Sequence, residues 1–279
     1  MRNILLALIL ALITSGTQAQ PVRKDRTHYV RLLFVANCFD SAENSSFKFA
    51  AYNVENDYKK DSAIRQEIKL IFFDNARQII DTINSQARLI KSVDFFSHSQ
   101  RDRIGSIIKK GSSVYRTSLF ESREALNEAT LNDHSFAPSQ KMGCIDEIRF
   151  TKFSYDAVCE IHGCKAGLGS DSLSENICIK ISSCFQKAGK QLAVVIGHGT
   201  RANPRINGDN GLTSPLQQDY RHGLRVLYYM EKPILTTKIK GRIPDDVIFD
   251  AIANSGKGTT LNSNATGNIL PISHKIPKI

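Results

Sequence analysis

Residues 157–167 read AVCEIHGCKAG: a β-prone apolar run, then a Gly, a Cys, a Lys and two small residues. A cysteine where a strand runs out into a glycine-flanked turn can be half of a disulfide, a metal ligand, a buried apolar side chain or a nucleophile. The rest of the chain decides among these.

Working outward, further strand-type runs alternate with helical patterns. YVRLLFVANC (29–38) reads as a strand, and SSFKFAAYNVENDYKK (45–60) is equivocal between helix and strand. IKLIFFD (68–74) is a second strand. NARQIIDTINSQARLI (75–90) sets Ile79, Ile80, Ile83, Ala87 and Ile90 at helical spacing, and SVDFFSHS (92–99) is a third strand. A polar, amphipathic and partly irregular stretch covers about 100–143. After the 157–167 run, LSENICIKISSCFQKAGK (173–190) places Leu173, Ile177, Ile181, Cys184 and Phe185 on one helical side, and QLAVVIGHGT (191–200) is a buried-type strand. RVLYYMEKPILTTKIKG (225–241) reads as a hairpin and PDDVIFDAIAN (244–254) as a short helix with Pro244 near its first turn. The segment 255–279, rich in Ser, Asn, Gly and Thr, reads as a loosely ordered tail.

Alternating apolar runs and helices predict an α/β fold: one domain over 20–254, with a mainly parallel central sheet flanked by helices. In such sheets, ligands and reactive side chains gather beyond the carboxyl ends of the strands. Three runs end in reactive residues: VDFFSH in His98, VCEIHGC in His162 and Cys164, and LAVVIGH in His198.

The opening residues, MRNILLALILALITSGTQAQ, carry an early Arg, an apolar stretch from Ile4 to Ile13 and small residues before Gln20. This is the pattern of a signal peptide cleaved after Ala19, and it predicts export to the periplasm or secretion. The formal charge of +10 (37 basic, 27 acidic) is scattered along the chain; in an exported protein it favours contact with anionic envelope surfaces. No aromatic stripe among basic residues marks nucleic-acid binding, and the sequence assigns no oligomeric state.

Six cysteines (38, 144, 159, 164, 178 and 184) in so long a chain are too sparse for a disulfide scaffold. Cys159 and Cys164 are separated by about 16 Å along an extended run, and Cys178 and Cys184 by about 9 Å along a helix, so neither pair bridges without a sharp bend. Cys178 and Cys184 read as small core residues or as partners of distant cysteines such as Cys144. Cys159, His162, Cys164 and His198 are zinc-type ligands, but Cys159 falls on the opposite strand face from residues 162 and 164. GHGTRANPRINGDNG (197–211) lacks the core of a P-loop and reads as a long surface loop at the carboxyl edge of the sheet. No Gly-x-Ser-x-Gly elbow is present. DYRHG (219–223) brings Arg221 and His222 to the start of a strand, with no role assigned to either.

A thiol attacks carbonyls as thiolate, so a nucleophilic Cys164 needs an imidazole within hydrogen-bond reach. His98 is 66 residues away in sequence, on a strand end that a parallel sheet can bring alongside. A strand ending FFSHS, a later strand ending EIHGCKAG, then a helix and LAVVIGHGT together resemble the caspase-like, or clan CD, cysteine peptidases, the group of legumains, gingipains, separases and CHAT domains. The resemblance covers about residues 29–200 and implies a caspase-hemoglobinase-like sheet. It also implies a cysteine-type endopeptidase with His98 as general base, Cys164 as nucleophile, Gly163 near the oxyanion site and the 197–211 loop bordering the cleft, where Asn203, Arg205 or Asp209 would help to select a substrate side chain. Ser99 stands where the family most often has Gly, which sets its β-carbon against the substrate cleft. The implied partner is a protein or peptide substrate, with no metal or organic cofactor required. The competing readings are an inactive exported α/β binding domain, with Cys164 disulfide-bonded and His98 structural, and a secreted toxin or effector with a target other than a peptide bond.

Overall fold

The computed structural model describes residues 28–38, 41–61, 65–110, 113–132, 135–136, 141–168, 176–204, 218–255, 261–263 and 269–271. The expected signal peptide, Leu173, Arg205 and Asp209 lie outside the described residues.

The runs VRLLFV, VDFF and VCEI, nearly continuous in apolar residues, form strands covered on both faces, as buried parallel strands require. They belong to β1 (Tyr29–Ala36), β3 (Ile90–Phe96) and β8 (Phe153–Ile161). With β2 (Gln66–Phe73) and β9 (Val194–His198), they make a parallel block in the spatial order β2-β1-β3-β8-β9. The sheet continues antiparallel through the hairpin of β10 (Arg225–Tyr229) and β11 (Lys232–Thr237). Met230 and Glu231 turn that hairpin with φ of 46° and 67°, the left-handed pair that a tight two-residue connection demands. The tail, expected to be loose, adds β12 (Leu261–Ser263) and β13 (Ile269–Pro271), which bring the sheet to nine strands.

Helices cover both faces. The 45–60 stretch, equivocal in sequence, belongs to helix α1 (Ser41–Lys60), which buries Phe47, Ala50, Ala51, Val54 and Tyr58. Its register of 3, 4 and 7 residues is that of a helix lying on a sheet. On the other face, α2 (Ala76–Asn84) buries Ile79, Ile80 and Ile83. A capping box starts α2: the Asn75 side chain accepts from the Gln78 amide, and Gln78 Oε1 accepts from the Asn75 amide. The helical pattern expected to run to Ile90 stops at Asn84, because the Ser85 amide closes back on Asp81 and Ile83; Ile90 instead opens β3.

The stretch from about 100 to 143, expected to be amphipathic and partly irregular, forms strands and a helix over most of its described residues. A second, four-stranded sheet contains β4 (His98–Gln100), β5 (Arg103–Lys110), β6 (Ser113–Phe120) and β7 (Gly143–Cys144), with α3 (Arg123–Asn132) between the last two. Its buried positions include Ser106, Thr117 and Ser118, so the apolar alternation that betrays a strand is diluted by small polar residues. Two remaining helices complete the layers: α4 (Ile177–Lys187) beside α2, and α5 (Asp245–Ser255) on the α1 face. The sheet is thus α/β, mixed but mostly parallel, as expected for a single domain.

Candidate functional site

Chain order and spatial order diverge at β1: the chain goes first to β2 on one side and then to β3 on the other. Ligand crevices of open α/β sheets form beyond the carboxyl ends of strands at such a reversal. Beyond β3 and β8, which are hydrogen-bonded neighbours, lie Ser97–His98–Ser99 and His162–Gly163–Cys164 respectively. His98 is not the last residue of β3, as expected, but follows a bend at Ser97 and opens β4 of the second sheet.

The two segments touch. Ser99 Oγ donates to the Cys164 carbonyl at 2.7 Å, and the His162 amide donates to the Phe95 carbonyl at 3.0 Å. Gly163 has no side chain because there is no room for one: a β-carbon there would meet Ser99 Oγ and stand 2.6 Å from the Ser97 carbonyl oxygen. Gly163→Ala is therefore expected to destabilise the fold by about 1–3 kcal/mol, measured as a lower denaturation midpoint at unchanged slope.

The turn after Cys164 is held on all sides. Carbonyls 164 to 167 all accept: Cys164 from Ser99, Lys165 from the Leu168 amide, Ala166 from Cys178 Sγ, and Gly167 from Tyr228 Oη. The Lys165 amide donates to Thr200 and the Gly167 amide to His198. Lys165 has φ of 57°, a left-handed conformation that costs a side-chain-bearing residue about 1–2 kcal/mol. In contrast, the Gly163 and Cys164 amides donate to nothing among the described residues. Backbone amides without an acceptor are the kind of donor that oxyanion sites use.

None of the six cysteines is in a disulfide, and Cys164 alone among them is not buried. Its sulfur lies 3.8 Å from the Ala202 carbonyl. Burial raises the thiol pKa values of Cys144, Cys159, Cys178 and Cys184 and keeps those thiols protonated. Opposite, Phe47 of α1 packs edge-on to the His98 ring at 5.5 Å between centroids, and Tyr220 backs Phe47 at 5.6 Å.

Beneath the rim runs a buried polar network that the sequence reading did not assign. His162 Nε2 donates to Asp94 Oδ1 at 2.9 Å, Tyr58 Oη donates to Asp94 Oδ2 at 2.9 Å, and His162 stacks on Phe96. Glu160 accepts from Arg225 at 2.6 Å. A signal existed: Arg31, Asp94 and Glu160 each interrupt an otherwise apolar strand. Asp94, Glu160 and His162 are the one group of three ligand-type side chains drawn together among the described residues. Asp94 is engaged by Tyr58 and His162, and Glu160 by Arg225, while His162 Nδ1 is buried without a hydrogen-bond partner among the described residues. The Cys159, His162, Cys164 and His198 set does not assemble, and Cys159 faces the α2 and α4 side. Arg221 is tied to Asp219 and to Asp57 of α1. Burial alone would raise the Asp219 carboxyl, but the Arg221 guanidinium outweighs it and holds the pKa low. Asn203 lies exposed near the rim.

His198, 2 % exposed, is held neutral: burial first, then the positive charges of His162 and Arg225, push it down to about 3. The unfolded chain therefore binds this proton first as pH falls. The stability that neutral His198 contributes is complete above about pH 6.5 and is lost toward pH 3, at up to about 1.4 kcal/mol per pH unit. Urea unfolding between about pH 6.5 and 5 should be less pH-dependent in His198→Gln than in the natural chain.

No family model matches the chain, and no curated protein or solved structure matches it.

Proposed function

We propose that the chain is a caspase-like cysteine hydrolase, exported from the cytoplasm and acting on peptide bonds. Cys164 Sγ attacks the scissile carbonyl, and His98 takes the thiol proton and passes it to the leaving amine. The Gly163 and Cys164 amides receive the oxyanion. Water then releases the acyl group from the sulfur, with His98 as base. The observation that carries this reading is the Cys164 turn, with carbonyls fixed, two amides unengaged and the His98 segment hydrogen-bonded against it. The partly exposed, unpaired Cys164 supports the same reading over that of a disulfide-bonded binding domain.

The test is to incubate the chain with a mixture of unfolded proteins and to map new amino termini by mass spectrometry. Cleavage that disappears when Cys164 is alkylated with iodoacetamide, and that persists with a chelator, is the expected result. No cleavage by protein whose Cys164 is free would overturn it.

A further inference from the structure

Ser99 occupies the point at which the two halves of the proposed dyad meet. It is 7 % exposed, and its backbone is anchored in the second sheet, where Ser99 pairs with Ile104. It directly follows His98, and its hydroxyl reaches the Cys164 carbonyl at 2.7 Å through the space that Gly163 leaves open.

The bonded group is one particular peptide plane. The Cys164 carbonyl accepts from Ser99, and the amide on the other side of the same plane, that of Lys165, donates to the Thr200 carbonyl at 2.8 Å. The plane immediately after the nucleophile is thus gripped at both ends, and it leads into the left-handed Lys165. With that contact removed, the plane keeps only the Lys165 amide bond to Thr200, Lys165 can relax toward negative φ, and the side-chain tie between the Cys164 main chain and the residue after His98 is lost. A glycine at position 99 has no hydroxyl with which to make this contact.

We infer that Ser99 is a positioning residue: it fixes the Cys164–Lys165 peptide plane and so keeps sulfur, oxyanion donors and the His98 segment in one register. The inference rests on the hydrolase reading for its effect on turnover, and on geometry alone for its effect on the thiol.

Two readouts test it in the full chain. Ser99→Ala should lower kcat about 10–100-fold with KM within about twofold, because alignment and not binding is lost. It should also slow the alkylation of Cys164 by iodoacetamide at neutral pH. Ser99→Thr, which retains the hydroxyl, should restore both, and it serves alone if Ser99→Ala does not fold. An unchanged kcat and alkylation profile in Ser99→Ala, or a Ser99→Thr that folds but behaves as the defective form, would overturn the inference. If the natural chain cleaves no peptide, the hydrolase reading falls, and the alkylation comparison alone decides the role of Ser99.

Discussion

Cys164→Ala is expected to remove peptide hydrolysis to background, a loss of at least about 10⁴-fold, while His98→Ala costs about 10²–10⁴-fold. The two effects should not add in the double variant, because nucleophile and base act as one unit. Neither change should greatly perturb the fold. Cys164 is the least buried cysteine, its side chain fills no core position, and the turn around it is held by main-chain groups and by Ser99, Cys178 and Tyr228. Equal secondary structure by circular dichroism, with activity lost in both variants, is the pattern to look for. Activity surviving in Cys164→Ala would move the chemistry elsewhere in the chain.

The largest stability effect is expected at the buried Glu160–Arg225 pair. Arg225 is fully buried, and besides Glu160 at 2.6 Å its guanidinium donates to the Ile239 and Gly241 carbonyls, both at 2.7 Å. Glu160→Ala strands a positive charge in the interior, and removing one partner of such a pair costs about 3–5 kcal/mol. Glu160→Gln keeps an acceptor and should cost less, about 1–3 kcal/mol. Replacing both partners with apolar residues of similar volume, as in Glu160→Leu with Arg225→Met, should recover much of the loss. The check is denaturant unfolding of all three variants. A double variant no better than Glu160→Ala would mean that the cost comes from the two carbonyls and not from the unpaired charge.

The parallel block was legible because its central strands are buried on both faces and carry nearly continuous apolar runs. The β10–β11 hairpin and α5 were legible from local pattern and from Pro244. What escaped depends on partners distant in sequence. In β5 and β6, small polar residues fill inward positions, and only the tertiary layer shows that Ser106 and Thr117 are buried. The equivocal 45–60 stretch resolves into helix because Phe47, Ala50, Ala51, Val54 and Tyr58 share the side that meets the sheet. At the site, the sequence could nominate strand-end residues, His98 and Cys164, from the rule about carboxyl ends. It placed the Ser99 β-carbon against the substrate cleft but could not supply the contact of its hydroxyl, which is with a carbonyl 65 residues away. Nor could it pair Asp94 with His162, a contact that depends on the register of β3 against β8.

The claim on which the account rests is that an imidazole and a thiol cooperate at one rim of the sheet. It is tested most directly by the pH dependence of Cys164 alkylation in the natural chain and in His98→Ala. The account predicts profiles that differ, with Cys164 alkylated more readily at neutral pH in the natural chain than in His98→Ala. Identical profiles in the two proteins would contradict it.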